Sequence, residues 1–89
     1  MRKFLVENNL KKIISKIYKR DKIMYESLLK KMNEIITCEN VEHYKNLKKP
    51  LQSYKRVHIR SSFVLLFRYD KFENKIFFYD FDHHDNIYK

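Results

Sequence analysis

The feature that most restricts this chain is a change of hydrophobic period part-way along it. From residue 10 to residue 36 the apolar side chains recur at helical spacing, and from residue 55 they alternate with a period of two. The first pattern buries one stripe of a helix and the second buries one face of a strand. A chain that runs helices first and strands afterwards packs them as α+β layers. Pro50 sits between the two regimes, where it breaks any helix and biases Lys49 toward an extended backbone.

Ahead of the first regime, Arg2 to Glu7 reads as a short strand with Phe4 and Val6 on one face. Asn8 or Asn9 suits the N-cap of a helix. Leu10, Ile13, Ile14, Ile17 and Tyr18 form its apolar stripe, and Lys11, Lys12, Lys16 and Lys19 its outer face. Lys19 and Arg20 complement the negative end of the helix dipole. Asp21 then caps a second helix, whose stripe is Tyr25, Leu28, Leu29, Met32, Ile35 and Ile36, with Glu26 and Lys30 as an outward pair. So short a joint predicts a helical hairpin.

Residues 37–54 have no period and make an aromatic-basic loop containing Tyr44, Lys45, Lys48, Lys49 and Tyr54. Beyond it, Val57 and Ile59 share one face of a strand, and Arg56, His58 and Arg60 the other. Ser61-Ser62 marks a turn, Phe63–Tyr69 a central strand and Asp70–Asn74 a polar turn. Ile76–Phe81 is the last strand, followed by a polar tail that includes Ile87 and Tyr88. The expected fold is a small antiparallel sheet, the N-terminal strand plus a C-terminal three-strand meander, packed on the helical hairpin. With the helices on the Val57–Ile59 face, the opposite face is expected to be a basic concave surface without a second core.

Composition narrows the chemistry. With no glycine there is no P-loop and no dinucleotide fingerprint. One cysteine, Cys38, excludes an internal disulfide and a cysteine-built zinc site. No apolar run is long enough to span a membrane, and Glu7 interrupts Phe4-Leu5-Val6 before a signal sequence could form, so the expected compartment is the cytoplasm. The 20 Lys and Arg against 11 Asp and Glu give a net charge of +9, which calls for a polyanionic partner. That excess is carried by two blocks, residues 1–20 and 41–60.

Metal-free RNA cleavage needs few parts. A base takes the 2′-OH proton, cations hold the charge that builds on phosphorus, and an acid protonates the departing 5′ oxygen. His58 lies mid-strand between Arg56 and Arg60, and His83-His84 follow the last strand. In a meander, His58 and His84 can meet as proton carriers. Lys45, Lys48, Lys49 and Lys55 supply a path for the backbone. Metal binding is disfavoured, because adjacent Asp82, His83, His84 and Asp85 side chains do not readily converge on one ion.

From Tyr44 onward the sequence resembles the RelE/ParE superfamily of toxins, nearest its RelE and YafQ branch. The matching text is "HYKNLKKPLQSYKRVHIRSSFVLLFRYD" followed by "KIFFYDFDHHDNIY". A basic loop carrying Leu47 leads into a Y-[KR]-x-x-H-I strand, then a V-L-[LI]-[FY]-[RK] strand, then a tail with His84 and an aromatic four positions later, Tyr88. The resemblance implies one RelE-like domain over residues 1–89. It implies ribosome-dependent, metal- and cofactor-independent cleavage of mRNA in the A site, and a RelB-like antitoxin partner in a hetero-oligomer of 2:2 form. His58 and His84 match the family's proton carriers, with Arg56 and Arg60 as phosphate stabilisers and Phe63 or Tyr88 as a base platform. Lys45, Ser62 and Val64 stand where the family carries a histidine, an aspartate and an arginine. Two other readings stay open: a ParE-like inhibitor of DNA gyrase without nuclease chemistry, and a non-catalytic RNA- or ribosome-binding domain.

Overall fold

The computed structural model describes residues 1–48 and 53–87, so Lys49, Pro50 and Tyr88 lie outside the described residues. Strand β1 (Lys3–Val6) leads into helices α1 (Asn8–Arg20) and α2 (Lys22–Thr37). A short 3-10 turn, Val41–His43, precedes β2 (Lys55–Ile59), β3 (Phe63–Asp70), β4 (Lys75–His83) and a one-turn helix α3 (His84–Ile87). The sheet order is β1-β4-β3-β2. The meander is antiparallel as expected, but β1 pairs parallel with β4, so the sheet is mixed. The helices, with β2 and β3, lie between β1 and β4 and make the long connection that a parallel pairing needs.

Asp21 alone links the two helices. Its backbone leaves the helical region, and its carboxylate accepts the Met24 amide at 3.0 Å, which is the expected N-cap. The α1 cap differs: Glu7 occupies that position without a side-chain cap bond, so neither Asn8 nor Asn9 performs the role. At the far end of α2, Arg2 replaces a conventional C-cap. Its guanidinium donates to the carbonyls of Ile36 (3.3 Å), Cys38 and Glu39 (3.0 Å), and to Asn74 Oδ1 (3.0 Å). A cation on these last carbonyls satisfies acceptors the helix cannot and suits its dipole. One charge of the N-terminal basic block is therefore structural.

The main core lies between the helices and one sheet face. Leu10 of α1 and Leu28, Met32, Ile35 and Ile36 of α2 pack on Ile59, Leu65, Phe67, Ile76, Phe78 and Phe81. Tyr18 and Leu29, assigned to the helical stripes, are exposed instead, and Met24 is buried. A bulge makes the β4 contribution possible. Leu66 pairs with Asp80 but Phe67 pairs with Phe78, which leaves Tyr79 as the extra residue. Strict alternation from Phe78 would turn Asp80 inward. The bulge instead puts Phe81 in the core and sends Asp80 and Asp82 to the other side.

That other side is not the uninterrupted basic surface expected. Leu47 from the loop closes over Val64 and Leu66, with Tyr54 and Ile87 packed around them, as a second, smaller core. Val64 and Leu66 alternate with Leu65 and Phe67, so this apolar stretch of β3 must be covered on both faces.

Candidate active site

The site is assembled at the Arg60 end of β2, where a turn and the chain's tail meet. Arg60 and Ser61 both take left-handed backbone angles, φ 53° and 63°. Neither is a glycine, so each carries a cost of about 1–2 kcal/mol. The turn sets Ser62 so that its carbonyl accepts the His84 amide at 2.8 Å. Asp82 fixes the tail from below: its Oδ1 accepts the His83 amide (2.7 Å) and the Asn86 side-chain amide (3.0 Å). These bonds bring the His84 ring onto His58, with centroids 5.6 Å apart and planes 27° from parallel. The Asp85 carboxylate stands 3.6 Å from His84 Nδ1 and 3.7 Å from His83 Nδ1.

Strand register then defines the surroundings. His58, Val64 and Asp82 form one cross-strand row on the open face, and Arg56, Leu66 and Asp80 the next. Arg56 is half-buried, and its amide donates to the Lys45 carbonyl at 2.9 Å, which holds the basic loop along the edge of β2. Lys45 and Lys48 are exposed beside that edge. His58 and Arg60 also line a groove of about 280 Å³ against α2, together with Ser27, Lys30, Lys31, Glu34 and Ile59.

Two residues expected at an RNA surface are elsewhere. Lys55 is 5% exposed. Its ammonium donates to the Tyr44 carbonyl (3.1 Å) and Asn46 Oδ1 (2.9 Å), with the Glu42 carboxylate at 3.5 Å. A lysine so enclosed pins the loop and has no donor left facing outward. Phe63 lies on the helix side of β3, stacked on Phe81 at 5.4 Å, and lines an apolar groove with Ile13, Ile17 and Met24. It is on the wrong face to stack a base beside His58. The signal for both was present, since Lys55 shares the parity of Val57 and Ile59, and Phe63 that of Leu65 and Phe67.

The reading from sequence also missed Asp80 and Asp82, which the bulge delivers to the open face. Nearby, Tyr54 and Tyr79 pack at 4.8 Å and present aromatic surface beside the basic loop. Among the described residues, no three His, Cys, Asp or Glu side chains are grouped to hold a metal ion.

Comparison with known proteins places this geometry. No protein-family model matches the chain. A protein of Methanocaldococcus jannaschii named "Putative toxin RelE4" is 54% identical over 81 residues, covering 91% of this chain and 84% of its own length. The chain belongs to the RelE/ParE toxin superfamily. A Methanosarcina mazei protein without a described function is 41% identical over 83 residues, 93% of this chain and 94% of its own. Two solved structures share the RelE-like fold at 16% identity. A point mutant of Escherichia coli YafQ covers the whole of both chains with a TM-score of 0.78. The YoeB–YefM complex of Staphylococcus aureus covers 94% of this chain and 98% of its own with a TM-score of 0.75. Among the described residues, no helix of this RelE-like toxin is long and apolar enough to cross a membrane.

Proposed function

We propose that this RelE-family toxin is an endoribonuclease that cleaves mRNA in the ribosomal A site by metal-independent 2′-OH attack. The observation that carries the reading is the His58–His84 pair, two imidazoles stacked at 5.6 Å on a surface flanked by arginines. In the reaction, neutral His58 takes the 2′-OH proton as the 2′ oxygen bonds to phosphorus. The P–O5′ bond breaks, and protonated His84 delivers its proton to the departing 5′ oxygen. The products are a 2′,3′-cyclic phosphate and a 5′-OH. Arg56 and Arg60 neutralise the charge that develops on the phosphoryl oxygens. Lys45 and Lys48 steer the strand to them.

The partner that silences the enzyme is a RelB-like antitoxin. YoeB, which shares this fold, is found in complex with YefM, and a surface of net charge +9 attracts an acidic chain.

The test is cleavage of mRNA on programmed ribosomes. His84→Ala is expected to slow it by about 10²–10⁴-fold with unchanged folding. Full-rate cleavage by that variant would remove His84 from the mechanism. A supercoiling assay on the same protein separates this reading from gyrase inhibition.

A further inference from the structure

The groove between α2 and the β2 edge shares His58 and Arg60 with the mechanism above, but its α2 wall takes no part in it. It is floored by Ile59, which is only 4% exposed, and its walls carry Lys30 and Lys31 from α2 and His58 and Arg60 from β2 and its turn. Glu34 is the sole acid among its lining residues. It is bonded to Lys31 at 2.8 Å, and that hydrogen bond holds its carboxyl below the usual range, so the two charges cancel. Lys30 and Arg60 make no ion pair among the described residues. The expected outward pairing of Lys30 with Glu26 is not formed. Lys30, which adds only a weaker attraction to Glu34, and Arg60 therefore both line, outside any salt bridge, a groove that also holds His58.

We propose that this groove extends the phosphate path beyond the scissile position, with Lys30 holding the RNA backbone phosphate next to the one that Arg60 stabilises. The inference rests on the nuclease reading for the identity of the strand. It does not rest on that reading for the groove's affinity toward a phosphate. A protein segment is a poorer occupant, because docking helices and loops need apolar anchors and Ile59 is not accessible to one. His58 and Arg60 line the same groove two residues apart, so one strand can touch both. Lys30 is thus a substrate-binding residue, supplied by a helix that otherwise faces the core.

The experiment measures binding of a short, fully 2′-O-methylated, fluorescent oligoribonucleotide, which cannot be cleaved, across a salt series. Lys30→Ala is expected to weaken binding about 3–10-fold and to lower the salt slope by about one. Lys30→Arg should restore both. Glu34→Gln frees Lys31 and should tighten binding by a similar factor, an effect opposite in sign that general loss of structure would not produce. Lys12→Ala, an equal loss of charge on the outer face of α1, should change little. In cleavage assays Lys30→Ala should raise KM and leave kcat within about twofold. The proposal fails if the wild-type protein does not bind the oligonucleotide, or if Lys30→Ala and Lys12→Ala behave alike. It also fails if a polyglutamate peptide binds as tightly with the same dependence on Lys30. Binding that depends on Lys30 in a protein that cleaves nothing keeps the subsite and overturns the nuclease reading. Cleavage with binding indifferent to Lys30 does the reverse.

Discussion

The two faces of the sheet come from the same three C-terminal strands and are used differently. Toward α1 and α2, alternate residues such as Leu65, Phe67, Ile76 and Phe78 are fully buried in one continuous core. On the other face Val64 and Leu66 are equally well covered, but only by Leu47, Tyr54 and Ile87. Beyond that small patch the face turns polar with Arg56, His58, Asp80 and Asp82. The first face carries most of the stability. The second buries just enough apolar surface to seat the loop and the tail, and leaves its ionisable groups at water, where a charged substrate can reach them.

Neighbouring residues on β3 give the largest test of this division. Phe67→Ala, on the helix face, is expected to cost about 3–5 kcal/mol. Leu66→Ala, one position away under a thin cover that can collapse, belongs at about 2 kcal/mol, the low end for a buried leucine. Urea unfolding measures both, and equal costs would show that the faces are equally invested. Leu66→Ala should also slow RNA cleavage, because Leu47 loses the surface that seats the basic loop.

Lys55 tests the border between the faces. Lys55→Ala strands the Tyr44 carbonyl and Asn46 and is expected to cost about 2–3 kcal/mol. Lys45→Ala, exposed on the same loop, should leave stability within about 0.5 kcal/mol and weaken RNA binding instead. The reverse pattern would put Lys55 back among the RNA ligands.

A smaller effect is expected at the turn. Ser61→Gly relieves a left-handed serine but frees the unfolded chain, for a net gain of about 0.5–1 kcal/mol. A thermal melt that shows no gain would mean the backbone there is not strained.

The smallest effect concerns pH. Burial, the largest cause, raises the Tyr44 phenol above its ordinary 10.0. The folded state then holds the proton longer than the unfolded state. Its contribution is complete below pH 10.0 and is lost as pH rises through the folded value. Tyr44→Phe should flatten that part of an alkaline stability profile, and an unchanged profile would discount the burial.

Much of this was legible in the chain. The stripe Leu28, Met32, Ile35 and Ile36, the Asp21 cap and the inward Val57 and Ile59 follow from local periodicity, and the folded protein uses them as expected. The meeting of His58 with His84 was also readable, since a three-strand meander returns the last strand's end to the first strand's. Lys55 and Phe63 were misplaced because their side-chain type was weighed above their parity on the strand. The Arg2 cap left no local trace, as the carbonyls it satisfies lie more than 30 residues away in sequence.

The sequence by itself therefore settled the inward faces of α2 at Leu28, Met32, Ile35 and Ile36 and of β2 at Val57 and Ile59, because a helix or strand imposes its own period over such a stretch. Tertiary structure alone decided the rest. It set the parallel place of β1, the bulge that turns Asp80 and Asp82 outward, and the partners that hold the Lys55 ammonium. It also set the groove that Lys30 and Arg60 both line. Each of these depends on groups brought together from distant parts of the chain, and their energies exist only once the sheet and helices are in contact.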